Sequence, residues 1–193
     1  MPRIIAGRFK GLRLESPTGR QTRPTADQVK EAVFSILESL PLDFDAVRVL
    51  DLFAGSGSLG LEALSRGAAS AVFCDQDQKA LATVSRNLAR LSPPPEARLL
   101  QVRWPQGLSK LAGGAPFDLF FLDPPYAERD LPMSLMREFV RRDLAAPGAV
   151  AVWEQAPETL AAWRAPQLTP WTVLKSRTWG ARAAAFFEWP GPD

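Results

Sequence analysis

Short apolar runs alternate with amphipathic stretches along most of this chain, and that alternation limits its fold more than any other feature. From Val47 onward the apolar runs fall at 47–53, 71–74, 98–102, 117–122 and 149–153. Helical spacing fills the gaps. Residues 59–65 form one such stretch, stopped by Gly67. Residues 80–91 form a second, with Leu81, Val84, Leu88 and Leu91 on one face, and residues 131–142 a third. Strands that are apolar on both faces, with helices between them, predict an α/β fold whose mostly parallel sheet is covered on both sides. Two last strands, around 171–175 and 184–189, are joined by a turn at Trp179-Gly180 and read as an antiparallel hairpin at the sheet edge.

The N-terminal segment has a different character. Residues 3–7 and 8–14 read as a small hairpin with glycine at its turns. Thr25 is placed to cap a helix, with Gln28 at the capping-box distance. In that helix Val29, Val33, Ile36, Leu37 and Leu40 share a face, while Lys30 and Glu31 lie off it. Residues 1–30 hold seven basic groups (Arg3, Arg8, Lys10, Arg13, Arg20, Arg23 and Lys30) against Glu15 and Asp27. The rest of the chain has 16 basic and 19 acidic residues. A basic arm over residues 1–24, ahead of a domain at 25–193, is suited to a polyanion. The same charges also suit a solvated arginine-rich surface.

Composition removes several kinds of chemistry. The chain has 193 residues, room for one domain that needs neither disulfide nor metal to hold a core. No apolar run reaches a membrane span, and the first residues lack a secretory signal, so a cytoplasmic location is expected. There is no histidine, which excludes a Ser-His-Asp triad, a histidine base and most catalytic zinc sites. The one cysteine, Cys74, sits in an apolar strand and reads as an inert core thiol.

Two motifs carry the chemistry. The first, Asp51-Leu52-Phe53-Ala54-Gly55-Ser56-Gly57-Ser58-Leu59-Gly60, puts GxGxxG between a strand and a helix. Glycines there allow a tight turn and close approach of a ligand to the backbone. No Gly-Lys-Ser/Thr follows, so a triphosphate P-loop is excluded, while NAD and S-adenosylmethionine both remain. For either, Asp75 at the end of the second strand is placed to bind ribose hydroxyls, with Asp77 as the next choice. Asp75 could instead cap the helix that follows.

The second motif, Asp123-Pro124-Pro125-Tyr126, follows the fourth strand and favours methyl transfer to an exocyclic amine of a nucleobase. That amine is a poor nucleophile because its lone pair is delocalised into the ring. Acceptors aimed at its N–H groups favour a pyramidal nitrogen, and the Asp123 carboxylate and Pro124 carbonyl can supply them. The prolines fix the carbonyl direction, and Tyr126 offers a ring face to an extruded base. Guanine, adenine and cytosine all carry such an amine.

The Asp51–Gly67 stretch followed by DPPY resembles the class I S-adenosylmethionine-dependent methyltransferases. Three further segments narrow the resemblance to the bacterial RsmD family: Arg3-Ile4-Ile5-Ala6-Gly7, Arg23-Pro24-Thr25 and residues 29–37. Those enzymes methylate the N2 amine of a guanine in small-subunit (16S) ribosomal RNA. The resemblance implies a Rossmann-like seven-stranded sheet, S-adenosylmethionine as donor, S-adenosylhomocysteine as product, and a substrate within the small subunit or an assembly intermediate, with no metal. It further implies that Asp51, Phe53, Ala54, Gly55, Ser56, Gly57 and Gly60 hold the methionine moiety. Asp75 then binds the ribose, Gln76 is a further donor-binding residue, and Asp123 to Tyr126 hold the base. The basic arm (Arg3, Arg8, Lys10, Arg13, Arg20, Arg23) is expected to grip RNA backbone. Other amino-methyltransferases acting on adenine or cytosine, and a non-catalytic RNA-binding assembly factor, are the alternatives.

One position departs from the family pattern. Where such enzymes carry Asn or Asp to contact adenine, this chain has Arg103-Trp104-Pro105. An arginine cannot accept from the adenine amine. A backbone group, or Trp104 as a stacking plate, is expected to replace it; Trp104 as a space-filler is the other reading.

Overall fold

The computed structural model of the chain describes residues 2–17, 25–124, 131–162 and 170–192. They fall into two compact units, residues 1–101 and 102–193. The first contains α1 (Thr25–Leu37), β1 (Arg48–Asp51), α2 (Ser58–Ser65), β2 (Ser70–Asp75), α3 (Gln78–Leu88) and β3 (Ala97–Gln101). The second contains a 3₁₀ turn (Gln106–Leu111), β4 (Phe117–Leu122), α4 (Leu131–Arg141), β5 (Ala145–Gln155), α5 (Pro157–Ala162), β6 (Thr172–Trp179) and β7 (Arg182–Trp189). This is the expected class: an α/β fold with a seven-stranded, mostly parallel sheet and an antiparallel C-terminal hairpin. No helix among the described residues is long and apolar enough to cross a membrane.

In the first unit the strand order is β3-β2-β1, all parallel. The central positions of β1 and β2 are buried on both faces, as their apolar runs require. Helix α1 buries Val29, Lys30, Val33, Phe34 and Leu37. Phe34 therefore takes the inward place that the sequence pattern assigned to Ile36. The capping contact expected of Thr25 lies outside the described residues.

Residues 2–17 fold against this unit. The expected small hairpin is present: Arg3 and Arg13 form an antiparallel bridge, and the Ile4, Gly11 and Leu14 amides donate to the Leu12, Ile4 and Pro2 carbonyls at 2.9, 2.9 and 2.7 Å. The hairpin takes further partners from α2. Glu62, fully buried, accepts the Ile5 amide at 2.7 Å and the Ala6 amide at 3.0 Å. Ser65 Oγ accepts the Phe9 amide at 3.0 Å and donates to the Ala6 carbonyl. Gly7 has φ +79°, and a Cβ there would lie 1.8 Å from the Ser65 carbonyl oxygen, so only glycine lets the two chains approach this closely.

Glu62 also accepts Arg66 Nε at 2.9 Å and lies 3.4 Å from Lys30 Nζ. Arg66 reaches on to Glu38, with its guanidinium 4.8 Å from the Phe34 ring centroid. Lys30, 4% exposed, completes its donors on the Arg3 carbonyl (2.6 Å) and Ser58 Oγ (3.0 Å). Burial holds the Lys30 ammonium below its usual pKa, opposed by the attraction of Glu62.

In the second unit the order is β4-β5-β7-β6, with β4 and β5 parallel and the other pairs antiparallel. Its core is aromatic. Phe120 stacks on Phe139 at 4.5 Å and meets the edge of Trp171 at 6.0 Å, and Trp171 Nε1 donates to the Met136 carbonyl at 2.8 Å. Pairs of this kind add about 0.5–1.5 kcal/mol beyond the area they bury. Strand β5 starts four residues earlier than its apolar run. Pro147-Gly148 reads as a break, but the β4–β5 ladder absorbs it as a register shift between Phe117 and Leu119, with Gly148 at φ +79°. Helix α5 follows β5 after the single residue Ala156, and Pro157 suits its first turn.

Candidate active site

The glycine loop leaves β1 at Asp51 and enters α2 at Ser58. Gly57, at φ 77° and ψ 15°, makes the left-handed turn that opens the helix, and no side chain caps it there. Gly60 faces β2: a Cβ on it would stand 2.4 Å from the Phe73 ring, so the third glycine sets how closely helix and strand pack. Two carboxylates hold the loop. Asp51, 3% exposed, accepts the Gly60 amide at 3.1 Å. Asp75 accepts the Gly55 amide at 3.0 Å through one oxygen and the Asp77 amide at 2.9 Å through the other.

Asp77, not Asp75, caps α3, taking the Lys79 amide at 2.8 Å. The half-exposed Asp75 is therefore left for the loop and for whatever lies over it. Gln76 is exposed, and its carbonyl accepts Gln101 Nε2 at 3.2 Å. Phe53 and Ser56 are half-buried, and Ala54 and Gly55 are buried. Cys74 lies on β2 between the two acids. Burial first, then the Asp51 and Asp75 carboxylates, push its thiol pKa far up, so it remains a protonated core group.

This charge pattern discriminates between ligands. A dinucleotide pyrophosphate needs free amides and positive potential at the helix start. Here Asp51 occupies the amide of the third motif glycine, and a second carboxylate stands beside the first glycine. Asp75 suits the ribose of either ligand, but the Asp51 carboxylate on the Gly60 amide suits a ligand with a cationic centre better than a dianion.

One buried residue that sequence reasoning missed braces the loop. Asn87 of α3, fully buried, donates through Nδ2 to the Ser56 carbonyl at 2.9 Å and the Glu15 carbonyl at 3.1 Å. Its Oδ1 accepts the Glu15 amide at 2.8 Å. An asparagine inside a helical run gives little sequence signal. Its partners lie 31 and 72 residues away, and only the tertiary structure identifies them.

In the second unit, Asp123 is exposed and Pro124 buried where β4 ends. Pro125 and Tyr126 lie outside the described residues. Leu122 pairs with Trp153 at the end of the β4–β5 ladder, and Glu154 and Gln155 continue β5 beyond it. Glu154, 6% exposed, accepts Arg182 Nη1 at 3.2 Å. Gln155 is buried, and its Oε1 accepts the Ala156 amide at 3.0 Å. Trp104 is half-buried and Arg103 exposed, and the Arg103 carbonyl accepts the Gly107 amide at 2.7 Å as the chain turns.

The arm's cations have varied surroundings. Arg3 pairs with Asp27 at 3.0 Å while 62% exposed, a contact worth about 0–1 kcal/mol and readily exchanged. Arg8 donates to the Leu64 carbonyl at 3.2 Å and lies over the Phe9 ring. Lys10 and Arg13 are exposed, and the Arg13 carbonyl accepts from Arg90 at 2.6 Å. Arg20 and Arg23 lie outside the described residues.

Comparison with known proteins supplies independent information. A family described as Conserved hypothetical protein 95 matches residues 2–188. YlbH of Bacillus subtilis is 44% identical over 130 residues, covering 67% of this chain and 69% of that protein. Ribosomal RNA small subunit methyltransferase D of Escherichia coli (strain K12) is 40% identical over 125 residues, 64% of this chain, and the match spans 60% of that enzyme's length. The solved structure of yhhF from Escherichia coli superposes with a TM-score of 0.79 at 31% identity, covering 98% of each chain.

Proposed function

The chain belongs to the RsmD family of ribosomal RNA methyltransferases, matched from residue 2 to residue 188, and from that premise we propose that it methylates the exocyclic N2 amine of a guanine in small-subunit ribosomal RNA, with S-adenosylmethionine as donor. The observation that carries this reading is the glycine loop held between Asp51 and Asp75. Asp51 puts negative charge at the start of α2, where a sulfonium donor is favoured and a pyrophosphate is not, and Asp75 is left for the ribose.

S-adenosylmethionine, when bound, supplies an electrophilic methyl group on positively charged sulfur. The chain's own residues do the rest. Asp51 and the Gly55–Gly60 loop hold the methionine end, and Asp75 takes ribose hydroxyls. The Asp123 carboxylate and the Pro124 carbonyl accept the amine N–H groups and turn the nitrogen lone pair toward the methyl. As the nitrogen–carbon bond forms and the sulfur–carbon bond breaks, positive charge develops on nitrogen, and Asp123 stabilises it. The amine becomes acidic only then, and its proton passes to the Asp123 carboxylate that already accepts it, and from there to water. Holding the reacting atoms in line can supply up to about 7–11 kcal/mol of the barrier. Tyr126 stacks on the base, and the exposed arm cations hold RNA phosphates, which add affinity and salt dependence but little sequence information. The reaction takes place in the cytoplasm, where small subunits assemble.

The test is methyl transfer from labelled S-adenosylmethionine to three substrates: small subunits lacking the modification, free ribosomal RNA, and DNA. The reading expects label in one of the first two and none in DNA. Label in DNA alone overturns it.

A further inference from the structure

The basic arm and the glycine loop are joined through two buried side chains. Lys30 binds the Arg3 carbonyl of the arm and Ser58 Oγ on the helix side of Gly57. Asn87 binds the Glu15 amide and carbonyl of the arm and the Ser56 carbonyl on the strand side of Gly57. The two clamps thus reach the arm at Arg3 and at Glu15, and the loop on the two flanks of Gly57, the residue that opens α2 at φ 77°. Between them, Glu62 and Ser65 of α2 hold the stretch from Ile5 to Phe9. Nearly every arm contact in this set is made by main-chain atoms, so the connection depends on the arm's path rather than its side chains. Lys30 and Asn87 are 4% and 0% exposed. With water excluded, neither can release one partner without leaving a buried polar group unsatisfied.

We propose that Lys30 and Asn87 are positioning residues that couple the two sites, so that donor binding at the loop stiffens the arm and RNA contact by the arm tightens the donor. The proposal rests on the glycine loop being the donor site. The coupling is reciprocal by necessity: ligand that fixes Ser56 to Ser58 fixes the atoms on which Lys30 and Asn87 close, and an arm held by phosphates fixes the same two side chains from the other end.

The test is hydrogen exchange of the full-length protein with and without saturating S-adenosylhomocysteine, with binding followed separately by calorimetry. In wild type the ligand should slow exchange in peptides covering residues 3–15 by about fivefold or more, and should slow the β6–β7 hairpin much less. Ser58→Ala removes one acceptor of Lys30 and leaves the arm's own bonds intact. Asn87→Ala opens the second clamp. Each should reduce the arm's response in ligand-saturated protein, and together they should abolish it. If Asn87→Ala fails to fold, a reduced response in Ser58→Ala alone supports the coupling and an undiminished one contradicts it. Ligand that binds wild type without slowing the arm, or an arm response that survives both substitutions, overturns the proposal. Failure of S-adenosylhomocysteine to bind wild type overturns the donor-site reading, and the coupling with it.

Discussion

Asp75 accepts the Gly55 amide at 3.0 Å, across 20 residues of chain, and thereby ties the first glycine of the loop to the end of the neighbouring strand. Its other oxygen takes the Asp77 amide. A carboxylate has about four lone-pair sites, so the half-exposed group keeps capacity for ribose hydroxyls. Asp75→Ala therefore removes a loop restraint and a ligand contact together. Affinity for S-adenosylhomocysteine, measured by calorimetry, should fall by about 1.5–3 kcal/mol in a folded protein. Asp75→Asn keeps one acceptor and should fall in between. Unchanged affinity in both variants contradicts the assignment.

Asp123 is expected to act on the amine rather than on the donor. Asp123→Ala should lose most turnover, a fall of roughly 100-fold or more if charge stabilisation of this kind is its role. Donor affinity should stay near wild type. Single-turnover methyl transfer and calorimetry on the same preparation separate the two effects, and a parallel loss of donor binding would assign Asp123 to the wrong ligand.

The buried charges under the arm should be unequal in cost. Glu62→Ala strands Lys30 and leaves the Ile5 and Ala6 amides without their acceptor, a loss of about 3–5 kcal/mol for a broken buried pair. Lys30→Met leaves Glu62 still bound to Arg66 and both amides, and should cost clearly less. Urea denaturation of the two variants gives the ranking directly. Equal costs would mean that the two charges are not held as the distances imply.

Glu138 provides the pH-dependent element. Hydrogen bonds from Arg141 and Arg142 pull its carboxyl from 4.5 down to about 2. Because the folded value is the lower one, its contribution to α4 is complete above pH 4.5 and is lost as pH falls toward 2. Arg141 is 67% exposed, so salt should shrink the shift. NMR titration of Glu138 at low and high salt tests both statements, and an apparent pKa near 4.5 at low salt refutes the pairing.

Much of the fold was readable because the strands are apolar on both faces and the glycine loop announces a strand–turn–helix unit. The strands from β1 to β4 match their apolar runs to within a few residues, and the turn at Trp179-Gly180 joins β6 to β7 as the sequence pattern implies. Features made by long-range contacts were not readable. Lys30 sits beside the apolar stripe of α1 and has the composition of a surface residue. It is buried only because Arg3, Ser58 and Glu62 converge on it. Glu62, inside Gly-Leu-Glu-Ala-Leu, likewise reads as an exposed helix position until the arm lies across it. In the site, Asp75 could be singled out from its place at the end of β2, but its bond to the Gly55 amide could not, and Asn87 gave no signal, because a single amide on a helix has no periodic signature. The early start of β5 was hidden by Pro147-Gly148, which local chemistry reads as a turn and the ladder takes up as an irregularity.

Nucleoside analysis decides which nitrogen receives the methyl group. Small subunits lacking the modification should be incubated with the protein and isotope-labelled S-adenosylmethionine, the RNA digested to nucleosides, and the labelled nucleoside identified by mass spectrometry. The proposed chemistry requires N2-methylguanosine as the sole labelled product, and its disappearance with Asp123→Ala. Label in N6-methyladenosine or N4-methylcytidine, or no label above that of the Asp123→Ala protein, contradicts it.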